Sequence, residues 1–157
     1  MNFNNFTIKS QEAVQEAVNL VQSRGQQAIE PEHLMAGLLK VGENVTNFIF
    51  QKLGINGQQI ETVLDRQIAS LPKVSGGEAY LSRSANEVLQ KAVEVSKELG
   101  DEYVSLEALL LALLNVKSTV ATILKDAGLT DKELRAAIQE LRQGQKVTSQ
   151  SSEDTCL

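Results

Sequence analysis

Apolar residues recur along this chain at helical spacing. Val14, Ala17, Val18 and Val21 form an i, i+3, i+4, i+7 stripe that runs out at Gly25, and a glycine at such a point is a natural helix stop. Glu30-Pro31 opens a second stretch, because proline at the first helical position gives up an N–H that would have no intrahelical partner. Leu34, Met35, Leu38 and Leu39 carry it to Gly42. A short apolar run from Val45 to Leu53 ends at Gly54. A fourth stripe, Ile60, Val63, Leu64 and Ile68, reaches Leu71-Pro72, where proline forces the preceding residue out of the helical region. The first half therefore predicts four helices.

The second half repeats the first. Sliding the chain by 75 residues lays Glu12 on Glu87, Gln15 on Gln90, Ala17 on Ala92, Val18 on Val93, Gly25 on Gly100 and Glu32 on Glu107. The same shift superimposes Leu34, Leu38 and Leu39 on Leu109, Leu113 and Leu114; with a shift of 74, Ile49 meets Ile123 and Gly54 meets Gly128. Ser84-Ala85-Asn86-Glu87 and Thr130-Asp131-Lys132-Glu133 both fit the capping box, in which a hydroxyl and a carboxylate satisfy amides at a helix start. Leucines cover every face of the stretch from Leu106 to Leu114, so that helix and its counterpart, Leu34 to Leu39, are expected at the centres of their units. The expected organisation is all-α, two tandem pseudo-symmetric four-helix repeats at 1–71 and 81–144. A joint at 72–80 contains Ser75-Gly76-Gly77, and a polar tail at 145–157, with nothing to bury, is expected to be a flexible linker.

Composition narrows the function classes. At 157 residues the chain buries ~68 to 70% of its unfolded surface, and 42% hydrophobic against 22% charged residues is a globular balance. A net charge of −5 repels phosphate backbones, which excludes nucleic acid as the expected partner. No apolar run reaches bilayer-spanning length and Met1 to Ser10 does not read as an export signal, so no membrane partner and a cytoplasmic location are expected. The lone cysteine, Cys156, has no partner for an internal disulfide. With one histidine, His33, and one cysteine there is neither a histidine-based catalytic pair nor a zinc set, and no phosphate loop is present. No catalytic, cofactor-binding or metal-binding residues are expected; His33 reads as a structural hydrogen-bonding residue. Glu32 and Glu107 share a position near a helix start, where the helix dipole favours an acid. A second reading has Glu107 and Asp101 presenting exposed negative charge beside Leu81 and Tyr103, a mixture suited to an unfolded or basic peptide.

The doubled unit, Phe6-Thr7, Ile29-Glu30-Pro31-Glu32-His33-Leu34-Met35, Gly100-Asp101-Glu102-Tyr103-Val104-Ser105 and the Leu71-Pro72 joint together resemble the amino-terminal domain of the Clp ATPases, in particular the ClpB-type disaggregases. The resemblance covers residues 1 to about 144, and Gly144 to Gln150 resembles the linker that leads toward an ATPase module. It implies a substrate-binding module, not itself an enzyme, of a homohexameric chaperone that uses ATP and Mg. Such a chaperone threads unfolded or aggregated polypeptides with the help of the DnaK system in stress recovery. The sensitive polar residues of that family match Thr7, Asp101 and Glu107, bordering an apolar groove; Thr7 equally suits a helix cap. The ClpC type recognises phosphoarginine through Thr before the acid in both copies, whereas Pro31 and Leu106 stand there in this chain, so that recognition is not carried over. An adaptor-docking domain of a ClpA or ClpC protease ATPase is the alternative. Ala108, following the second acid, implies a shallow groove.

Overall fold

In the computed structural model, which describes residues 2–155, the helices are α1 (Ile8–Ser23), α2 (Pro31–Val41), α3 (Glu43–Leu53), α4 (Gly57–Ala69), α5 (Arg83–Glu98), α6 (Leu106–Asn115), α7 (Thr119–Asp126) and α8 (Asp131–Arg142), with a final turn α9 (Ser152–Thr155). Two short strands, β1 (Ala28–Ile29) and β2 (Tyr80–Leu81), complete the described elements. Cys156 and Leu157 lie outside the described residues. The fold is all-α, four helices per repeat, as the spacing of apolar residues predicts.

Side chains start most of these helices. Thr7, Asn56, Ser82, Ser105, Ser118 and Thr130 each accept the N–H three residues on, satisfying a donor that the first turn leaves orphaned. One start differs from the expectation. The Ser84 capping box is not used: α5 begins one residue before Ser84, and Ser82 Oγ accepts the Ala85 N–H at 3.0 Å. Thr130 caps α8 as expected, with Glu133 N–H donating at 3.3 Å.

One hydrophobic core serves both repeats. All of Leu106 to Leu114 is buried, and α2 and α6, the two central helices, pack on each other as well as on α1 and α5 respectively. The α1–α2 crossing is close because Gly37 faces Ala13 and Ala17: a Cβ on Gly37 would lie 2.2 Å from the Ala13 carbonyl oxygen. Between the repeats, α3 packs on α8 and α4 on α7, pairings that the internal symmetry interchanges.

The repeats also exchange strands. β1, just before α2, pairs in parallel with β2, just before α5, joining Ile29 to Leu81. Shifted by 75 residues, Leu81 corresponds to Phe6 and Ile29 to Val104, and those two form a parallel bridge of their own. Each repeat thus completes its backbone pairing with the other.

The tail departs from expectation. Instead of extending away, residues 145–153 run back over the start of α6: Val147 is buried, Glu102 N–H donates to the Val147 carbonyl at 2.8 Å, and Ile8 N–H donates to Gln150 O at 2.8 Å. Its polar composition gives little apolar surface to bury, but hydrogen bonds and one valine hold it.

Candidate functional site

The site forms where α6 begins and α8 ends. Ser105 caps α6, its Oγ accepting Ala108 N–H at 3.1 Å, which places Glu107 in the first turn facing inward. Arg142, the last residue of α8, reaches the same spot. Its Nε donates to Glu107 Oε1 at 2.8 Å, Nη1 to Asp101 Oδ1 at 3.0 Å and Nη2 to Ser105 Oγ at 2.9 Å. The Arg142 and Glu107 side chains are only 6% and 4% exposed, and that of Asp101 is inaccessible.

Two carboxylates facing one guanidinium leave an excess negative charge, and the tail adds a third acid. Glu153 Oε2 accepts the Leu106 N–H at 2.8 Å, at the α6 N-terminus where the helix dipole favours an anion. Yet burial, together with the neighbouring Glu107 charge, raises the Glu153 pKa to about 8, against the pull of the Thr7 hydroxyl and the Leu106 N–H. Glu153 is therefore mostly protonated at neutral pH. The opposite holds for Arg142: burial works against its charge, but Glu107 and Asp101 outweigh it and raise the pKa further.

Thr7 stands beside this cluster. It caps α1, accepting Ser10 N–H at 3.1 Å and donating to Ser10 Oγ at 2.8 Å, while its own N–H donates to Val104 O. The structure thus brings Thr7, Asp101 and Glu107 together. Tyr103 is half-buried on the adjoining backbone; Leu81, also half-buried, sits at the symmetry-related strand pair with Ile29 and does not join them. The expectation of exposed negative charge at Asp101 and Glu107 is corrected here, because both carboxylates are buried against Arg142 and the tail covers them. Ala108 points into the core, fully buried, and shapes no groove.

Sequence reading missed Arg142, Val147 and Glu153. One signal was available: an acid within an otherwise apolar helix needs a buried cation or a proton.

The equivalent place in the first repeat is built from neutral groups. Gln26 corresponds to Asp101 and Ile68 to Arg142. His33 Nδ1 accepts the Glu30 N–H at 2.9 Å, so Nε2 carries the hydrogen and donates to Gln26 Oε1 at 2.7 Å; Gln26 Nε2 in turn donates to Ile68 O at 2.7 Å. Burial, with a smaller contribution from Arg24, lowers the His33 pKa to about 4. Burial likewise raises that of Glu32, the neighbouring Glu30 charge adding to it and the Glu32 backbone N–H opposing it. The structural role expected for His33 is what the hydrogen bonds describe.

An open cleft of ≈ 910 Å³ lies between α2, α3 and α4, with Leu39, Phe50, Ile55 and Leu64 among its walls and Glu43, Glu61 and Asp65 around them. Among the described residues no group of three or more His, Cys, Asp or Glu is arranged to hold a metal, and no single helix is long and apolar enough to cross a membrane.

Comparison with known proteins places this architecture. The family model of the Clp repeat (R) N-terminal domain matches residues 5–127. The chain belongs to the Clp N-terminal domain family. Chaperone protein ClpB of Bacteroides thetaiotaomicron is 80% identical to this Clp N-domain over 154 residues, an alignment covering 98% of the chain and 18% of that protein. The chain thus spans about a fifth of the length of that relative. The Hsp104 N-terminal domain from Candida albicans has the same fold, with a TM-score of 0.82 at 23% identity over 94% of this chain and 97% of that one. A ClpV N-domain in complex with a VipB peptide superposes with a TM-score of 0.72 at 18% identity, covering 87% of this chain and 86% of that one.

Proposed function

We propose that this Clp N-domain engages exposed apolar segments of unfolded or aggregated proteins on behalf of a ClpB-type, ATP-dependent disaggregase. The observation that carries the reading is the 80% identity to a ClpB chaperone across almost the whole chain. In this reading the longer protein is a cytoplasmic homohexamer that binds ATP and Mg in modules outside this domain and works with the DnaK system. The domain itself supplies recognition and no chemistry. Thr7, Asp101 and Glu107 border the client-binding face, with Tyr103 and, at the symmetry-related strand, Leu81 offering half-buried apolar surface.

Discrimination comes from exposure, since a native client hides its apolar side chains and an aggregated one displays them. A few side chains buried at ~1.5 to 3 kcal/mol each, less the cost of ordering, give a Kd in the micromolar range or weaker. Several tethered copies on a hexamer recover strength by avidity while still releasing the client. The test is chemical-shift mapping with a permanently unfolded client. Resonances of Thr7, Leu81, Asp101, Tyr103 and Glu107 should move; if none does at high client concentration, the assignment of this face is wrong. The shape-preserving variants Asp101→Asn and Glu107→Gln in the full-length chaperone then separate client binding from a purely structural cap, which predicts unchanged disaggregation.

The adaptor-docking alternative has one observation in its favour. The α2–α3–α4 cleft is open and mixed in polarity, a surface suited to a folded partner. In that case a folded adaptor binds more tightly than any unfolded client and shifts Phe50 and Ile55 instead.

A further inference from the structure

Much of the tail's hold is on its backbone. The Glu102 and Ile8 N–H groups donate to the Val147 and Gln150 carbonyls, both at 2.8 Å, and the Val147 N–H donates to Asp101 Oδ1 at 3.0 Å. Gln150 Nε2 donates to the carbonyls of Asn4 at 2.7 Å and Phe6 at 3.4 Å. Two further side chains add specificity: Val147, 5% exposed, beside a cavity of ≈ 180 Å³ that Val45 and Leu141 also line, and Glu153 on the Leu106 N–H. In the first repeat a different bond holds the joint near the equivalent place. There the joint passes Gly25, the counterpart of Gly100, with Val74 N–H donating to Gly25 O at 3.0 Å, before being locked into β2.

The tail's own hold is slender. One buried valine and a handful of hydrogen bonds oppose the ordering of some nine residues, so seated and unseated forms exchange. The socket also depends on a shared proton: Glu107 Oε2 and Glu153 Oε1, in residues 3% and 7% exposed, have no other group to bond, so the proton on Glu153 is what lets the two carboxyls bond each other.

We propose that residues 145–153 are a removable strap occupying a peptide-binding socket walled by Thr7, Asp101, Glu107 and Arg142. A client segment with an apolar residue and, six positions later, an acid, turning between them as the strap does from Ser149 to Ser152, competes for that socket. The ligand layout is the strap's own, Val147 to Glu153. This rests on the reading above that clients approach this face, and it gives the buried polar residues a role: they hold the strap and reach a client only once it has left.

Glu153 makes seating proton-linked. It is faced by Glu107 on α6, by Arg142 on α8 and Asp101 before α6, both bonded to that cluster, and by Lys9 of α1 across a shared cleft. Because the seated pKa is raised, to about 8, the contribution of this proton is complete below the ordinary carboxylate value of 4.5 and lost as pH rises through about 8.

The experiment uses the whole chain. Amide hydrogen exchange is read at Ile8, Glu102 and Leu106, whose acceptors all lie on the strap. Val147→Asp should speed exchange at these three at least tenfold while amides inside α5 and α6 keep their protection. A synthetic peptide of residues 145–153 should bind the Val147→Asp chain at least tenfold more tightly than the parent chain and restore protection. Glu153→Gln, a neutral stand-in for the protonated acid, should keep the strap seated at pH 9. If Val147→Asp perturbs the core amides as well, Val147→Ser provides the same comparison with a smaller change. Unaltered exchange at the three amides, or no gain in peptide affinity, overturns the strap. An unfolded client serves as a separate arm. If the peptide binds and the client does not, the strap stands and the client reading fails; if the client binds both chains equally, it does not compete for this socket and that half of the proposal fails.

Discussion

Arg142→Ala tests the electrostatics of the site most directly. The substitution removes hydrogen bonds to Glu107, Asp101 and Ser105 and leaves two carboxylates, 4% and 0% exposed, with no cation between them. Breaking a buried pair from one side costs about 3–5 kcal/mol, because the remaining charge is neither hydrated nor compensated. At about 2–4 °C per kcal/mol for a domain of this size, Tm should fall by roughly 6–20 °C. An internal comparison comes from Lys52 and Glu140, which lie 2.7 Å apart with both side chains about half exposed. Lys52→Ala should cost under about 1 kcal/mol, since water and salt screen that pair. The combined change Asp101→Asn, Glu107→Gln, Arg142→Met should recover much of the loss by removing the stranded charges with their partner. Urea melts of the four chains at pH 7 decide the matter. A loss below about 1 kcal/mol for Arg142→Ala, equal to that of Lys52→Ala, would show that water reaches the cluster and the burial argument is wrong.

Other outcomes follow from single features of the fold. His33 is the sole histidine, so its ring proton is a unique NMR signal; the midpoint should lie near 4, and a midpoint above 6 contradicts the neutral Gln26–His33 network. Because that pKa is depressed, the stabilisation is present above the ordinary value of 6.5 and is lost as pH falls through about 4. Gly37→Ala should cost ~1–3 kcal/mol in a urea melt, as its Cβ would meet the Ala13 carbonyl; an unchanged midpoint would mean α1 moves aside freely. Ser82→Ala should destabilise by ~1 kcal/mol and Ser84→Ala by under about 0.5 kcal/mol, and the reverse order would restore the capping box at Ser84.

What could be read in the residues follows from range. Helical stripes and their glycine and proline stops are local, and the leucine-covered stretch from Leu106 to Leu114 announces its own burial. The start of α5 was misplaced because Ser84 and Glu87 carry the right spacing while the residue that caps is Ser82. Two-residue strands leave no alternation to detect, so the exchange of Ile29 with Leu81 and of Phe6 with Val104 was invisible. At the site, Thr7, Asp101 and Glu107 stood out one by one, but Arg142 is 35 residues beyond Glu107 and reads as an ordinary cation at a helix end. Composition misjudged the tail because hydrogen bonds to backbone do not register in hydropathy, and a single valine among polar neighbours does not look like an anchor.

The reciprocal strands make each half depend on the other. A lone half would carry a bare edge before its first helix and another before its second, since each of these edges pairs only with the other half. Two separate halves would fill both gaps at once by coming together head to head. A single repeat made alone is expected to self-associate into a symmetric pair, the arrangement that this chain holds within itself. Inside one chain the equivalent positions need not match, and here one side carries glutamine and histidine and the other arginine and acids.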